Sequence, residues 1–561
     1  MRSFAQSTLM AWLAATVAAM PASVQFGTPS VHEQIQLPQG WASAGVPHAD
    51  AKMVMQIALK QKDIAGLQKR LAEIADHKHA DYGKWLTREQ MEAYTAPSDE
   101  TVNMVKKWIT TAGIHPSAIS QPSPDWLHVD VPVSTAEKLL STNYNVYHHA
   151  EDDLSLVRTA QYSLPQQLRD HIDTIQPTTS FQAKKQDLAL TKPAPDGPTD
   201  CHSLVTPPCV RSFYNVDYNG KGDKTSYGST GLEEESARTS DYSTFLKTYD
   251  PNTSNTFNAI SVAGGVNGAS AYGEASLDAQ WSTSLGAGNS GFYAVGSPGT
   301  SGSDYVFADT LVAFGEYLSG NDSAPNVVST SYGTTEETVT QEYVTRICNE
   351  FMKAGSLGIT ILFSTGDYGV GRTCKSGFEN HFPASCPYVT SVGATEFTDA
   401  TTETASKDFA SGGGFSTYFD TPDYQKTDVQ NYIQNYVPSA YDGKYNKGGR
   451  AYPDVALVGV NIPIFVNGQK RITGGTSAST PMWSGLISQI NDYRATLGKP
   501  VVGFLNPRLY TDDSIRSSLN DITVGSNPGC RTPGFSCEAG WDPVTGLGTM
   551  DFAKLRAAFA N

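Results

Sequence analysis

The chain has 561 residues, 39% of them hydrophobic, enough for more than one domain and a large core. Acidic groups outnumber basic ones, 56 against 40, which argues against nucleic acid as a partner. No apolar run is long enough to span a membrane, so no membrane partner is expected.

In chain order, residues 1–19 read as a secretory signal, with Arg2 as the positive end and an apolar stretch over 9–19. The small residues Val17 and Ala19 suit a cleavage site, so a secreted, extracellular protein is expected. Export permits disulfides, and glycans at the sequons beginning at Asn252 and Asn321. Residues 20–175 read as an α+β domain with an antiparallel sheet. Met53, Met55, Ile57 and Leu59 alternate as in a strand. Asp63 caps a helix with Ile64, Leu67, Leu71 and Ile74 on one face, and Ser98 opens another. Residues 126–131 and 143–149 read as strands around a short helix at 134–140. Over 176–208 Pro, Thr, Lys and Asp replace the apolar period, which predicts a linker with Lys184-Lys185 as a cleavage point. From 209 to 561 short apolar strands at 259–263, 326–330, 359–363 and 389–392 alternate with helical patterns at 274–285, 338–354 and 480–497. That alternation predicts a parallel sheet with helices on both faces.

Seven cysteines pair by proximity as Cys201–Cys209, Cys374–Cys386 and Cys530–Cys537, leaving Cys348 free, although spacing does not fix connectivity. Their spacings do not suit zinc. Nine of the eleven histidines precede residue 200; only His202 and His381 follow it. A hydrolytic site in the second domain therefore needs a carboxylate, not an imidazole, as its base.

Four stretches carry chemistry. In Gly474-Gly475-Thr476-Ser477-Ala478-Ser479-Thr480-Pro481, two glycines permit a sharp turn, and Pro481 suits the first turn of the helix that follows. Ser477 would then sit at a helix N-terminus, where the dipole favours negative charge. Glu274 and Asp278, four apart, share one helix face. Close and partly buried, they would share a proton and prepare a general base. Asp367 follows an apolar strand in a glycine-flanked turn, where a protonated carboxyl can donate to an oxyanion. Asp521 and Asp542 lie in carbonyl-rich loops of the kind that bind a hard cation. Each stretch alone reads equally as a cap, a solvated face or a turn.

Together and in this order they resemble the sedolisins, serine-carboxyl peptidases related to subtilisin in fold. The resemblance also includes Ser329-Thr330-Ser331-Tyr332-Gly333, Ser411-Gly412-Gly413-Gly414-Phe415-Ser416, Tyr452-Pro453-Asp454-Val455 and Trp541-Asp542-Pro543-Val544-Thr545-Gly546. The first domain resembles the family's propeptide through Tyr82-Gly83-Lys84-Trp85-Leu86 and Tyr162-Ser163-Leu164-Pro165. The resemblance implies Ser477 as nucleophile, Glu274 as base, Asp278 as its partner and Asp367 as oxyanion donor. It implies one calcium ion on the side chains of Asp521 and Asp542 and the carbonyls of Ile522 and Gly540, with a further carbonyl near Glu538. It implies a zymogen inhibited by residues 20–175, active in acid on polypeptides, and a monomer. Tripeptide release from free N-termini is the expected activity; an acid endopeptidase is the alternative, and an inactive binding protein the reading from another class. An α/β-hydrolase esterase is set aside, because position 479 is Ser and no histidine follows Ser477.

Overall fold

The computed structural model describes residues 26–38, 40–150, 153–182, 192–193, 200–297, 307–372, 374, 377–399 and 401–561. The expected signal, and Lys184-Lys185, lie outside the described residues.

The first domain is built on a four-stranded antiparallel sheet. Its strands are β1 (Lys52–Leu59), β2 (Ile119–Ser123), β3 (Trp126–Pro132) and β4 (Ile172–Gln176), in the order β2-β3-β1-β4. Helices α1 (Ile64–Ala75), α2 (Arg88–Thr95), α3 (Asp99–Thr111) and α4 (Val133–Leu140) accompany it. Asp63 caps α1 by accepting from Gly66 N–H, and Ser98 caps α3 through Thr101 N–H. The strand period of two sorts the sheet's faces. Met53, Met55, Ile57, Leu127 and Val129 enter the domain's own core with Val105 and Trp108. Ala58 and Trp126 face the other way and join the core of the second domain. Residues 178–182, expected as linker, are buried: Phe181 packs against Trp41, Tyr147 and Leu156, and Gln182 Oε1 accepts from Ala308 N–H at 2.8 Å.

The second domain holds an eight-stranded sheet. Its elements in chain order are β5 (Tyr227–Gly231), β6 (Phe257–Val262), α5 (Gly273–Leu285), β7 (Ser290–Val295), α6 (Phe307–Gly320), β8 (Val327–Thr330) and α7 (Gln341–Ser356). They continue as β9 (Thr360–Ser364), β10 (Thr390–Phe397), β11 (Glu403–Ala405), β12 (Val455–Val458) and α8 (Thr476–Thr496). The sheet order is β6-β7-β5-β8-β9-β10-β11, with β12 also on β10; every pairing is parallel except β10 with β11. The inner strands β5, β7, β8 and β9 are buried along their whole length, whereas the edge strand β6 exposes Asn258, Ala259 and Ser261. Phe292, Val327 and Leu362 point toward α5 and α8, whereas Tyr293, Val328 and Phe363 point toward α6 and α7.

Three disulfides join Cys201–Cys209, Cys348–Cys386 and Cys374–Cys530, and Cys537 is a buried thiol. Only the first matches the pairing expected from proximity along the chain. Cys348, expected free, lies on α7 inside the apolar cluster that also receives Cys386. The loop carrying Cys374 folds back on residue 530, whose N–H donates to Gly371 O at 3.0 Å. Tertiary packing, not spacing, sets these partners.

Candidate active site

The C-terminal ends of β5, β8 and β9 meet the N-terminal ends of α5 and α8, the usual place for a site in a parallel sheet. Helices α5 and α8 cross closely because Gly485 has no side chain: a Cβ there would stand 2.6 Å from Ser282 O. This approach brings the helix bearing Ser477 against the helix bearing Glu274 and Asp278.

Glu274 and Asp278 are both buried on α5. Ser331, just beyond β8, joins the two helices. Its hydroxyl oxygen stands 2.7 Å from Asp278 Oδ1 and 3.1 Å from the carbonyl oxygen of Ser477. That carbonyl is available for a local reason. Pro481 lies inside α8, not in its first turn as expected, because the helix already starts at Thr476. A proline four residues on has no N–H for the Ser477 carbonyl. The Ser477 hydroxyl itself donates to Ser331 O in a long contact of 3.5 Å.

Asp367 is held against the same turn. Its Oδ1 accepts from Thr476 N–H at 2.8 Å and Thr476 Oγ1 at 2.9 Å. Thr476 Oγ1 in turn accepts from Gly366 N–H at 3.0 Å. Gly475 has φ 138°, and a Cβ there would stand 2.7 Å from Asp367 Oδ2, so both conformation and contact require glycine. The four expected residues thus converge from α5, the β9 turn and the α8 N-terminus.

Two participants escaped the sequence reading. Ser331 was noted only as part of a motif. Glu235, buried beyond the end of β5, accepts from Tyr332 Oη at 2.9 Å and from Ala275 N–H at 3.2 Å. It ties the β8 end to the first turn of α5. Burial, then the charges of Glu235, Asp278 and Glu274, hold the Tyr332 phenol far above its ordinary value. Only a signal spanning three separate segments could have disclosed this contact.

The C-terminal loops bring Asp521 and Asp542 together. Asp542 is fully buried; its Oδ1 accepts from Val544 N–H at 3.0 Å and Thr545 N–H at 2.9 Å, and its Oδ2 from Glu538 N–H at 3.1 Å. Asp521 Oδ2 accepts from Gly540 N–H at 2.8 Å. Burial, and secondarily the Asp521 charge, push the Asp542 carboxyl up to about 8. Burial also raises Asp521. Two repelling carboxylates in carbonyl-rich loops fit a hard cation chemically. Among the described residues no group of three or more His, Cys, Asp or Glu side chains is placed to hold a metal ion, so further donors would be carbonyls and water.

Residues 39–181 match the family described as Pro-kumamolisin, activation domain, and residues 241–507 match the subtilase family. Tripeptidyl-peptidase SED4 of Arthroderma otae is 34% identical over 97% of this chain and 96% of its own length. Probable tripeptidyl-peptidase SED3 of Arthroderma benhamiae is 32% identical over 92% of this chain and 93% of its own. Among solved structures, Pseudomonas sedolisin, a serine-carboxyl proteinase, matches with TM-score 0.52 at 23% identity, over 64% of this chain and 98% of that one, which speaks for the fold. The chain belongs to the sedolisin family and is a serine peptidase that carries its own activation domain.

Proposed function

We propose that this is a secreted, acid-acting serine-carboxyl peptidase, made as a zymogen, that releases tripeptides from free N-termini. Ser477 is the nucleophile, Glu274 its general base, Asp278 the partner that shares the proton of Glu274, and Asp367 the oxyanion donor. The observation that carries the reading is the Ser331 hydroxyl between Asp278 Oδ1 and the Ser477 carbonyl. One hydroxyl proton serves one strong acceptor. Both contacts are satisfied when Asp278 carries a proton and donates it to Ser331, which then donates to Ser477 O. That state leaves Glu274 as the ionised member of the pair.

Glu274 takes the proton of Ser477 as the hydroxyl attacks the peptide carbonyl. The carbonyl oxygen becomes an oxyanion facing Asp367, which must be protonated to donate. The C–N bond breaks as Glu274 returns its proton to the leaving amine. Water then adds to the acyl-enzyme by the same route and restores Ser477. Carboxylates in these roles titrate well below an imidazole, which supports action in acid. Three disulfides support an oxidising compartment.

Asp521 and Asp542, with carbonyls of Ile522 and Gly540, would hold one calcium ion, which supplies positive charge to these loops. Residues 20–175 act as the inhibitor, and 176–208 contain the activation cleavage. The names of the relatives support tripeptide release over internal cleavage. The test is mass spectrometry of products from a peptide with a free N-terminus and from its acetylated twin, at pH 4. Tripeptides from the free peptide alone are expected. Equal internal cleavage of both would establish the endopeptidase instead.

A further inference from the structure

Behind the turn that carries Asp367 lies the stretch Ala410-Ser411-Gly412-Gly413, distant from it in sequence. Three backbone hydrogen bonds join the two segments, on both sides of Asp367. Gly412 N–H donates to Gly366 O at 2.7 Å, Gly369 N–H to Ala410 O at 2.9 Å, and Gly413 N–H to Gly369 O at 3.4 Å. Tyr368 and Ala410 also pair in a parallel bridge. The segments come this close because no side chain stands between them: a Cβ on Gly412 would lie 1.9 Å from Thr365 O. The stretch is itself fixed from behind. A Cβ on Gly413 would stand 1.9 Å from Pro543 O, so the C-terminal loop presses on its other side. The buried Ser411 hydroxyl ties it to β10 and to that loop, accepting from Ala394 N–H at 3.0 Å and donating to Val544 O at 3.1 Å. Asn527 Nδ2 bridges Pro543 O at 2.8 Å and Gly413 O at 3.4 Å. Residues 410–413 thus form a fixed plate against which the oxyanion turn is set.

Resting on the oxyanion role proposed for Asp367, we infer that Gly412 and Ser411 are positioning residues for its carboxyl: they set the depth at which the turn presents it to the scissile carbonyl. A donor of this kind stabilises charge best when its distance is fixed before the reaction begins. Asp367 is held from the front by Thr476 N–H and Thr476 Oγ1, at the same helix start that carries Ser477. The plate holds it from behind through Gly366 and Gly369. Nucleophile and donor therefore keep their register although they come from separate elements. A methyl group on Gly412 would be driven against Thr365 O. Because the plate is fixed, the turn takes up the displacement, and the Asp367 carboxyl moves with it. Loss of the Ser411 hydroxyl acts the other way: it strands Ala394 N–H and Val544 O and lets the plate itself shift.

The test compares wild type, Gly412→Ala, Ser411→Ala and Asp367→Ala as mature enzymes at pH 4, on a tripeptide with a free N-terminus before a reporter amide. The probe of the donor is the corresponding tripeptide aldehyde. The Ser477 oxygen bonds to its carbonyl carbon, the hydroxyl proton passes to Glu274, and the carbonyl oxygen becomes an oxyanion facing Asp367. Removing one oxyanion donor costs about 100- to 1,000-fold in kcat, so Asp367→Ala should lose about that much. Gly412→Ala should lose about 10- to 100-fold in kcat and Ser411→Ala about 3- to 10-fold, with KM within about threefold of wild type. The aldehyde inhibition constant should rise by the factor by which kcat/KM falls. Where a variant matures too slowly to isolate, the rate of self-processing of the folded full chain replaces kcat. Should Gly412→Ala fail to fold, Ser411→Ala, which adds no bulk, carries the test. A kcat within about twofold of wild type in the folded variants at 411 and 412 overturns the inference. So does a fall in kcat with an unchanged aldehyde constant, which puts the damage outside the oxyanion site. Wild-type kcat in Asp367→Ala refutes the oxyanion role, and the inference with it. A loss in Asp367→Ala beside unchanged variants at 411 and 412 refutes the inference and leaves that role standing.

Discussion

Replacing Asp125 with alanine should loosen the activation domain from the peptidase. The carboxylate is buried at the domain boundary, 2.6 Å from Arg346 Nη2 and 3.2 Å from Lys353 Nζ, both on α7. Gln61 Nε2 also donates to it at 2.8 Å, and Asn349 Nδ2 donates to Gln61 Oε1 at 3.1 Å. Beside it Trp126 Nε1 donates to Glu350 Oε1 at 3.0 Å. Burial alone would raise the Asp125 carboxyl, but Lys353 and Arg346 outweigh it and hold the group below the ordinary carboxylate range. In the variant, Arg346 and Lys353 retain Glu350 at 3.2 and 2.6 Å, so two cations share one anion. Glu316 gives no relief at pH 5, because burial and Glu350 push it up to about 7 and it stays protonated. Stranding one side of a buried pair costs about 3–5 kcal/mol, more than about a 100-fold loss in the docked-to-open ratio. The assay is hydrogen exchange of β1 and β3 at pH 5, in a Ser477→Ala background that prevents self-cleavage. Exchange should accelerate by about 100-fold where opening limits it. Exchange within threefold of the parent, with the same urea midpoint, would refute the reasoning.

Two further outcomes test the site and the metal loops. Ser331→Ala should lower kcat by roughly 2- to 10-fold with little change in KM, the worth of a hydrogen bond between neutral groups; an unchanged kcat removes the proton bridge from the mechanism. Exhaustive chelation should lower Tm, and most at alkaline pH: the Asp542 carboxyl is raised to about 8, so without metal its protonated form favours the fold at low pH, and that contribution is lost as pH rises toward 8. An unchanged Tm at pH 8, with no calcium in the protein, counts against the metal site.

What the sequence disclosed was local. The alternation of Met53, Met55, Ile57 and Leu59 is a strand in the structure, because a period of two is a property of adjacent residues. The four-residue spacing of Glu274 and Asp278 put both on α5 for the same reason. The glycine turn before Ser477 was legible because a positive φ needs glycine. Contacts that join distant segments were not legible. Cys348 and Cys386 meet only once α7 is packed on the sheet. The role of Pro481 depends on where α8 begins, and its consequence depends on Ser331, 150 residues earlier. Residues 178–182 lack apolar period yet are buried, because Phe181 alone supplies the anchoring ring.

Acidification pulls the domain boundary in two directions, and the sign of each group decides which candidates for an acid trigger stand. Glu33 and Glu316 have carboxyls raised chiefly by burial, so the docked state binds their protons more tightly than the open state. Falling pH tightens docking through both. Asp125 is depressed, so its contribution persists above the ordinary carboxylate value and is lost only as pH falls below it. His32 and His128 are lowered by burial and stay neutral while docked; charging them below the ordinary imidazole value disfavours the docked state. His128 shares a β3 face with Trp126, opposite Gln56, and so looks toward the peptidase, where Asp309 and Tyr343 lie against Gln56. His32 faces Arg169 and the carbonyl of Asp173 in its own domain and Glu342 on α7. His148 is solvent-accessible and 4.0 Å from Asp153, so a charge there has an anion nearby. His149 packs on Trp41 within the first domain. His128→Gln, which cannot charge, should therefore shift the midpoint of maturation to lower pH and make the transition shallower, and His32→Gln should do the same. His148→Gln should leave both unchanged. Maturation followed from pH 7 to pH 4 decides it: midpoints equal to the parent in both buried-histidine variants would leave protonation of carboxylates as the trigger.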